Sequence, residues 1–277
     1  MRRLIILVLL VAFAALAGVV VRSASNAGLR ELVSHNASGN VRDEIRQSYE
    51  LSPGARVELS GLNGSVKIET SDTRTAEIYI ERMGTSQDAL SRRKVLVEGD
   101  ANSVRIQGEN GDGGFLSRLF GTKPREQVTL KLPRQISLFT KGVNGPVVVG
   151  EIDGPVDVRG VNGRVQVARA TGTADFKGIN GNIVLGVKQL DAQGLSLRGI
   201  NGNIELQLDS ALNADLEARG MNGRVVSDVS GLLVQENKHG NYSARIGTGG
   251  SAINAKGING NIRLTRATQT AELAKQN

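Results

Sequence analysis

Gly178-Ile179-Asn180-Gly181-Asn182-Ile183-Val184-Leu185 decides the fold of this chain. Its first four residues, Gly-apolar-Asn-Gly, occur seven times: at Gly61-Leu62-Asn63-Gly64, Gly142-Val143-Asn144-Gly145, Gly160-Val161-Asn162-Gly163, Gly178-Ile179-Asn180-Gly181, Gly199-Ile200-Asn201-Gly202, Gly220-Met221-Asn222-Gly223 and Gly257-Ile258-Asn259-Gly260. From Asn144 to Asn222 the asparagines step by 18, 18, 21 and 21 residues. The step to Asn259 is 37, as if one repeat there has lost its motif, and the step from Asn63 to Asn144 is 81, about four repeats or an inserted region. A fixed period of this size points to stacked repeats.

Outward from each motif, apolar and polar residues alternate on both sides. Six and four residues before the asparagine stand pairs such as Val156 and Val158, or Leu195 and Leu197; three and five after it stand Val165 and Val167, or Ile204 and Leu206. This is the period of a strand with one buried face. Each repeat is therefore strand, corner, strand, with Asn63, Asn144, Asn162, Asn180, Asn201, Asn222 and Asn259 as structural corners. Asn and Gly reach positive φ cheaply, which suits a sharp turn. The glycine two before each asparagine is expected to face inward, where the wall bends and no side chain fits. The pattern predicts an all-β fold, a β-solenoid of 18–21-residue coils. The alternative is an antiparallel meander, because Asn-Gly between alternating runs is also the strongest short hairpin signal.

The 277 residues suit one or two domains with a large core, rich in glycine (35) and poor in aromatics (3%). Cysteine is absent, which excludes disulfides, thiolate metal sites and a cysteine nucleophile. His35 and His239 are the only histidines and lie far apart in sequence. Arg2-Arg3, then an uncharged apolar run over residues 4–21, then Arg22, reads as an export signal over residues 1–24, with an uncleaved membrane anchor as the alternative. Removing it leaves 31 basic against 27 acidic side chains, a net charge of +4.

Residues 25–44 read as a linker, and residues 45–266 as one solenoid domain. Its first part, 45–135, is an irregular N-terminal cap region with strand-like runs at 76–80, 94–98, 103–107 and 127–132 and a short helix within 82–93. Residues 136–266 are the regular repeats. Within them, 232–250 is expected to hold the degenerate repeat, with Gly240-Asn241 in place of the motif. Residues 267–277 are a polar tail. The glycine-rich stretch 108–124 carries Phe115, Leu116, Leu119 and Phe120, either a plug over an open end of the core or a partner- or membrane-contacting patch.

The opening Tyr49-Glu50-Leu51-Ser52-Pro53-Gly54 and the repeated Gly-Ile-Asn-Gly copies, over about residues 45–266, resemble the bacterial family of adhesin-like proteins known by its Gly-Ile-Asn signature, a domain of unknown function. The resemblance implies an exported, solenoid-like domain of the envelope and carries over no catalytic residues.

No phosphate-binding loop or nucleophile elbow is present, no cofactor is expected, and an exported chain of modest charge with few aromatics is a poor nucleic-acid binder. One catalytic pattern remains. Asp157 and Asp175, five before their asparagines, would lie beside each other in stacked coils as a polysaccharide-cleaving enzyme requires, although Arg159 and Lys177 stand ready to neutralise them. The strongest regularity beyond the fold is basic. Three before the asparagine stand Lys141, Arg159, Lys177, Arg198, Arg219 and Lys256, a ladder that either keeps strand edges soluble or binds a polyanion. Lys141, Arg198 and Lys256 lack an acid two residues earlier and are the expected binding positions. The expected function is that of a non-catalytic exported module for adhesion, binding or scaffolding. Its candidate partners are anionic polysaccharide, a membrane surface or envelope proteins. A third reading is a membrane-tethered accessory to envelope signalling.

Overall fold

Across every Gly-x-Asn-Gly the chain leaves one sheet and enters another. The computed structural model describes residues 41–110 and 124–267. Strands that precede a corner are β2 (Ala55–Ser60), β6 (Ser103–Asn110), β8 (Ile136–Val143), β10 (Val156–Val161), β12 (Ala174–Asn180), β14 (Leu195–Asn201), β16 (Ala214–Arg219) and β20 (Ser251–Asn259). Those that follow are β3 (Gly64–Ser71), β7 (Arg125–Pro133), β9 (Val147–Ile152), β11 (Val165–Thr171), β13 (Ile183–Gln189), β15 (Ile204–Leu208), β17 (Val225–Ser227) and β21 (Ile262–Arg266). Within each set the pairing is parallel and rung for rung, as in Val156↔Ala174 and Val165↔Ile183. No strand pairs with its own partner across a corner, so the motif is a solenoid corner and not a hairpin turn.

The coils do not stack in the order of the chain. The pre-corner sheet runs β16-β20-β14-β12-β10-β8-β2-β6, and the post-corner sheet runs β7-β3-β9-β11-β13-β15-β21-β17. The first coil, β2–β3, sits inside the second, β6–β7; the last, β20–β21, sits between β14–β15 and β16–β17. At both ends the coil nearest the chain terminus is tucked in by one place. The outermost coils can then be closed by neighbouring chain. Next to β6 lies β5 (Arg93–Gly99), and next to β7 lies β4 (Thr75–Gly84), itself paired to β1 (Val41–Glu50). Beyond β16 lie β19 (Asn241–Ile246) and β18 (Val234–Lys238). All of these cap pairings are antiparallel, so they break the template that an open parallel stack would present.

Several expectations are placed by this order. Strand-like runs at 76–80, 94–98, 103–107 and 127–132 are β4, β5, β6 and β7, and the helix is α1 (Gln87–Arg92), capped by the Ser86 hydroxyl accepting from the Ala89 N–H. β1 begins at Val41, inside the stretch read as linker. Residues 232–250 are not a coil: His239-Gly240 forms the turn of the β18–β19 hairpin that caps β16, and Asn241 opens β19. Spacing alone could not separate a degraded coil from a hairpin of equal length.

One continuous core runs the length of the stack. Each regular coil contributes five inward side chains, such as Val156, Val158, Val161, Val165 and Val167, each at most 1% exposed. Burial of such a set is worth roughly 10 kcal/mol per coil before chain entropy is charged against it. Phe176 fills its layer beside the small Ala174 on the same strand, which keeps the coil's volume near that of its neighbours. The 18- and 21-residue periods differ at the second corner, where β12 follows β11 after two residues but β14 follows β13 after five.

The corner glycines do two different jobs. The glycine two before the asparagine is exposed, not inward, and takes a left-handed φ of 59–65° in all seven copies. It inserts a bulge: two successive residues, such as Lys177 and Gly178, face out, and the alternation resumes with Ile179 buried. A Cβ on Gly199 would meet nothing within 4 Å, so φ and not space selects glycine there. The glycine after the asparagine is the crowded one. A Cβ on Gly181 would lie 2.3 Å from the Gly163 carbonyl oxygen of the coil below.

Candidate functional site

The outer face of the pre-corner sheet carries the basic row. Register pairs place its members, in spatial order, as Lys141, Arg159, Lys177, Arg198, Lys256 and Arg219, with uncharged Ser60 continuing the row beyond Lys141. All six basic side chains are exposed. Their contiguity depends on the inserted coil, because Lys256 fills the rung between Arg198 and Arg219. Neighbouring rungs are about 4.8 Å apart, inside the Debye length of about 8 Å at physiological salt, so like charges on adjacent rungs repel unless an acid neutralises one of them.

Acids two residues earlier on the same strands relieve only part of this. Arg159 Nε and Nη2 donate to the two oxygens of Asp157 at 2.7 and 2.6 Å, and Arg159 lies 3.8 Å from Asp175. The hydrogen bonds it donates to Asp157 hold the Arg159 guanidinium above its ordinary range. Arg198 Nη2 donates to Asp175 at 2.7 Å, and Arg219 Nε to Glu217 at 2.7 Å. Arg159 also lies 5.6 Å from the centre of the Phe139 ring. The three arginines are thus paired, and Lys141, Lys177 and Lys256 have no ion-pair partner among the described residues.

This corrects the expectation that Arg198 is uncompensated and Lys177 compensated. Asp175 reaches across the rung to Arg198 instead of bonding the lysine two residues on. A planar guanidinium matches a carboxylate better than a compact ammonium does, so Arg198 takes the acid. Each exposed pair adds at most about 1 kcal/mol of stability. Its larger effect is to leave a row in which fixed, neutralised arginines alternate with free lysine cations over most of the stack.

The same pairings hold the two aspartates of the catalytic pattern. Asp157 and Asp175 are register neighbours, as stacking requires, but both are held by arginine. A glycosidase-type pair needs one carboxyl free to give a proton and the other free to attack or activate water. His239 is fully exposed, and its nearest acid, Glu236, is 4.0 Å away. Among the described residues no three histidine, aspartate or glutamate side chains gather as a metal site.

Along one edge of the row run the seven corner asparagines. Six of the seven donate through Nδ2 to the Oδ1 of the asparagine one coil away: Asn144 to Asn63 at 2.9 Å, Asn162 to Asn144 at 3.0 Å, Asn180 to Asn162 at 3.1 Å, Asn201 to Asn180 at 3.1 Å, Asn259 to Asn201 at 2.9 Å and Asn222 to Asn259 at 2.9 Å. The positive φ at the corners belong to the glycines, so asparagine is selected for this amide stack and not for turn geometry. Asn180→Ala removes one bond donated and one accepted. It is expected to cost about 1–2 kcal/mol in a chemical-denaturation midpoint measurement.

The amide stack stops at Asn63, whose Nδ2 donates to the Pro124 carbonyl at 2.9 Å. Its backbone N–H donates to Glu126 Oε2 at 2.5 Å, and the buried Glu126 is paired with buried Arg93. Glu126 stands in register with Gly64, and β6, the strand paired to β2, ends in Gly108-Glu109-Asn110. In sequence, residues 108–111 are an eighth Gly-x-Asn-Gly, with an acid in place of the apolar residue, but Gly108 does not take the left-handed φ of the other seven. A search for Gly-x-Asn-Gly without regard to the second residue finds it, and it divides the 81-residue step. The apolar cluster Phe115, Leu116, Leu119 and Phe120 lies outside the described residues, as do residues 1–24, expected to be an export signal, and the polar tail beyond Ala267. No described helix is long and apolar enough to cross a membrane.

No protein-family model and no curated protein matches this chain. Solved structures do. The chain is similar to a Clostridium sporogenes protein described as a "putative cell adhesion protein". The two are 13% identical, over 81% of this chain and 100% of the other, with a TM-score of 0.37. A Parabacteroides merdae "putative adhesin" is 8% identical over 80% of this chain and 96% of its own, with a TM-score of 0.27. A Parabacteroides distasonis "putative lipid binding protein" is 11% identical over 81% and 95%, with a TM-score of 0.23.

Proposed function

We propose that this chain is an exported, non-catalytic binding module of the bacterial envelope, kin to the Gly-Ile-Asn family, and that it holds a polyanion against the basic face of the pre-corner sheet. The observation that carries the reading is the alternation on that face: Lys141, Lys177 and Lys256 stand free on a rigid sheet, separated by arginines already tied to acids. A solubility device has no need of register. A ligand with repeating charge along an extended chain does, because its anions can meet cations at fixed rung spacing without ordering flexible loops first. The chain's export rests on the apolar run at residues 4–21 between Arg3 and Arg22.

The test is a triple variant, Lys141→Ser, Lys177→Ser and Lys256→Ser. On immobilised dextran sulfate, a sulfated polymer without carboxylates, or on vesicles rich in anionic lipid, wild type is expected to bind at low salt and to lose affinity as salt rises. The triple variant should bind about tenfold or more weakly with an unchanged melting temperature. Restoring Lys177 should recover part of the loss, whereas Arg198→Ser should matter less. Equal binding by wild type and variant, or none by wild type at low salt, reduces the row to a solvated face.

A further inference from the structure

We propose that a trough on the opposite, post-corner sheet is a second binding site, which takes a short carboxylate-bearing oligosaccharide lying along the stack. The proposal deepens the binding-module reading and rests on it, but it concerns a separate face and separate residues.

The trough encloses about 520 Å³. One wall is the row two residues after each corner asparagine. Following the coils in space, it reads Arg164, Asn182, Asn203, Asn261, Arg224. Each of the three asparagines gives its side-chain oxygen to the backbone N–H of the next rung: Asn182 Oδ1 accepts from Asn203 at 2.9 Å, Asn203 Oδ1 from Asn261 at 3.0 Å, and Asn261 Oδ1 from Arg224 at 3.0 Å. These bonds fix the amides in one orientation. Their Nδ2 groups form an evenly spaced line of donors with no protein partner among the described residues. Arg164 and Arg224, at the two ends, have no ion-pair partner there either.

The floor is the row two residues further on, Val184, Glu205, Arg263 and Val226. The outward valines at residues 148, 184 and 226 alternate along the sequence. In space Val184 and Val226 bracket a polar pair, which gives two of them a place. Val226 is 40% exposed. Glu205 accepts from the Gln207 amide at 2.9 Å, and Arg263 lies 3.6 Å from Asp228.

The chemistry is strongly donor-biased: three fixed amide NH₂ groups between two free guanidiniums, over a floor with apolar steps. The arginines are four rungs apart, roughly 19 Å. Guanidinium binds carboxylate through paired hydrogen bonds, oriented amides suit hydroxyl and ring oxygens, and exposed valines suit the apolar face of a sugar ring. A chain of uronic acid residues offers all three along one axis. An anionic lipid surface offers charge in a plane and has no chain of hydroxyl and ring oxygens running along one axis to match the line of amides.

The experiment uses the full chain, the hexamer of galacturonic acid as probe, a neutral hexasaccharide as control, and vesicles of anionic lipid as a third arm. Calorimetry should show the acidic hexamer binding and the neutral one not. Arg164→Ser with Arg224→Ser should weaken it about tenfold or more. Asn203→Asp keeps the accepting oxygen that bonds Asn261, replaces the amino donor by an anion, and should weaken it as much. The triple lysine variant should bind the hexamer normally. Loss of hexamer binding in the lysine variant with retention in the arginine variant would overturn the trough while leaving the binding module standing. Absence of hexamer binding to wild type at low salt overturns it, as does binding that follows the vesicles alone.

Discussion

A chain ended at Gly247 is expected to lose three coils' worth of order, not one. The missing segment holds β20 and β21, and these lie between β14–β15 and β16–β17. With them go Ile253, Ala255, Ile258, Ile262 and Leu264, each at most 2% exposed. Burial of those side chains is worth roughly 10 kcal/mol, comparable with the whole net stability of an ordinary domain. The damage is not confined to that layer. β17 pairs only with β21, and β16 keeps only its antiparallel neighbour β19. Limited proteolysis of the truncated chain should therefore cut throughout residues 214–247 and leave 55–189 protected, with β14–β15 frayed as a new open end. In a stack that followed chain order, the same truncation would remove a terminal coil and leave 214–247 as protected as before.

The second large effect comes from one added methyl. Gly181→Ala places a Cβ 2.3 Å from the Gly163 carbonyl oxygen, at a φ of 154° that other residues rarely adopt. Backbone on both sides is held by rung hydrogen bonds, with Gly181 donating to the Asn201 carbonyl at 2.9 Å, so neither coil can step aside cheaply. Crowding and backbone strain together should cost about 4 kcal/mol or more, a fall of about 10 °C in melting temperature for a domain of this size. Gly199→Ala tests the other corner glycine. It also sits at positive φ, but in open space, and should cost about 1–2 kcal/mol. Equal losses in the two variants would contradict the assignment of crowding to one glycine and conformation to the other.

The difference between those two glycines was not legible in the sequence, although the fold was. Alternation on both sides of Asn162, Asn180 and Asn201 with a near-constant period specified strands, corners and stacking, because a buried face imposes period two and a coil imposes a fixed repeat length. The same alternation put Gly178 on the inward phase. A bulge shifts that phase by one residue and leaves no mark except the glycine itself, so the crowded position was assigned to Gly178 when it belongs to Gly181. The basic row was legible as a row, since register follows from the motif. Which of its members are neutralised was not. That depends on Asp175 reaching across a rung to Arg198, a contact between repeats that no spacing within one repeat contains. The second asparagine row was present in plain view as Asn-Gly-Asn at 180–182 and 201–203, but only the backbone bonds made by Asn182 and Asn203 show why the second asparagine differs from a surface polar residue. The order of coils is the largest feature that sequence reasoning could not reach. All coils present nearly the same pattern, so any of them could template any other, and the tucked ends follow from the need to cover the outermost strands.

That order can be measured directly, because the chain has no cysteine of its own. Arg198 and Lys256 are register partners on adjacent strands, about 4.8 Å apart at Cα, within the range that a disulfide spans. Arg198 and Arg219 belong to consecutive coils of the chain but lie two rungs apart, roughly 9.6 Å, which is too far. The double variant Arg198→Cys with Lys256→Cys should close an intramolecular disulfide under mild oxidation, seen by mass spectrometry of a peptide digest, while Arg198→Cys with Arg219→Cys should stay reduced. A disulfide between positions 198 and 219, with none between 198 and 256, would show coils stacked in chain order and contradict the inserted last coil.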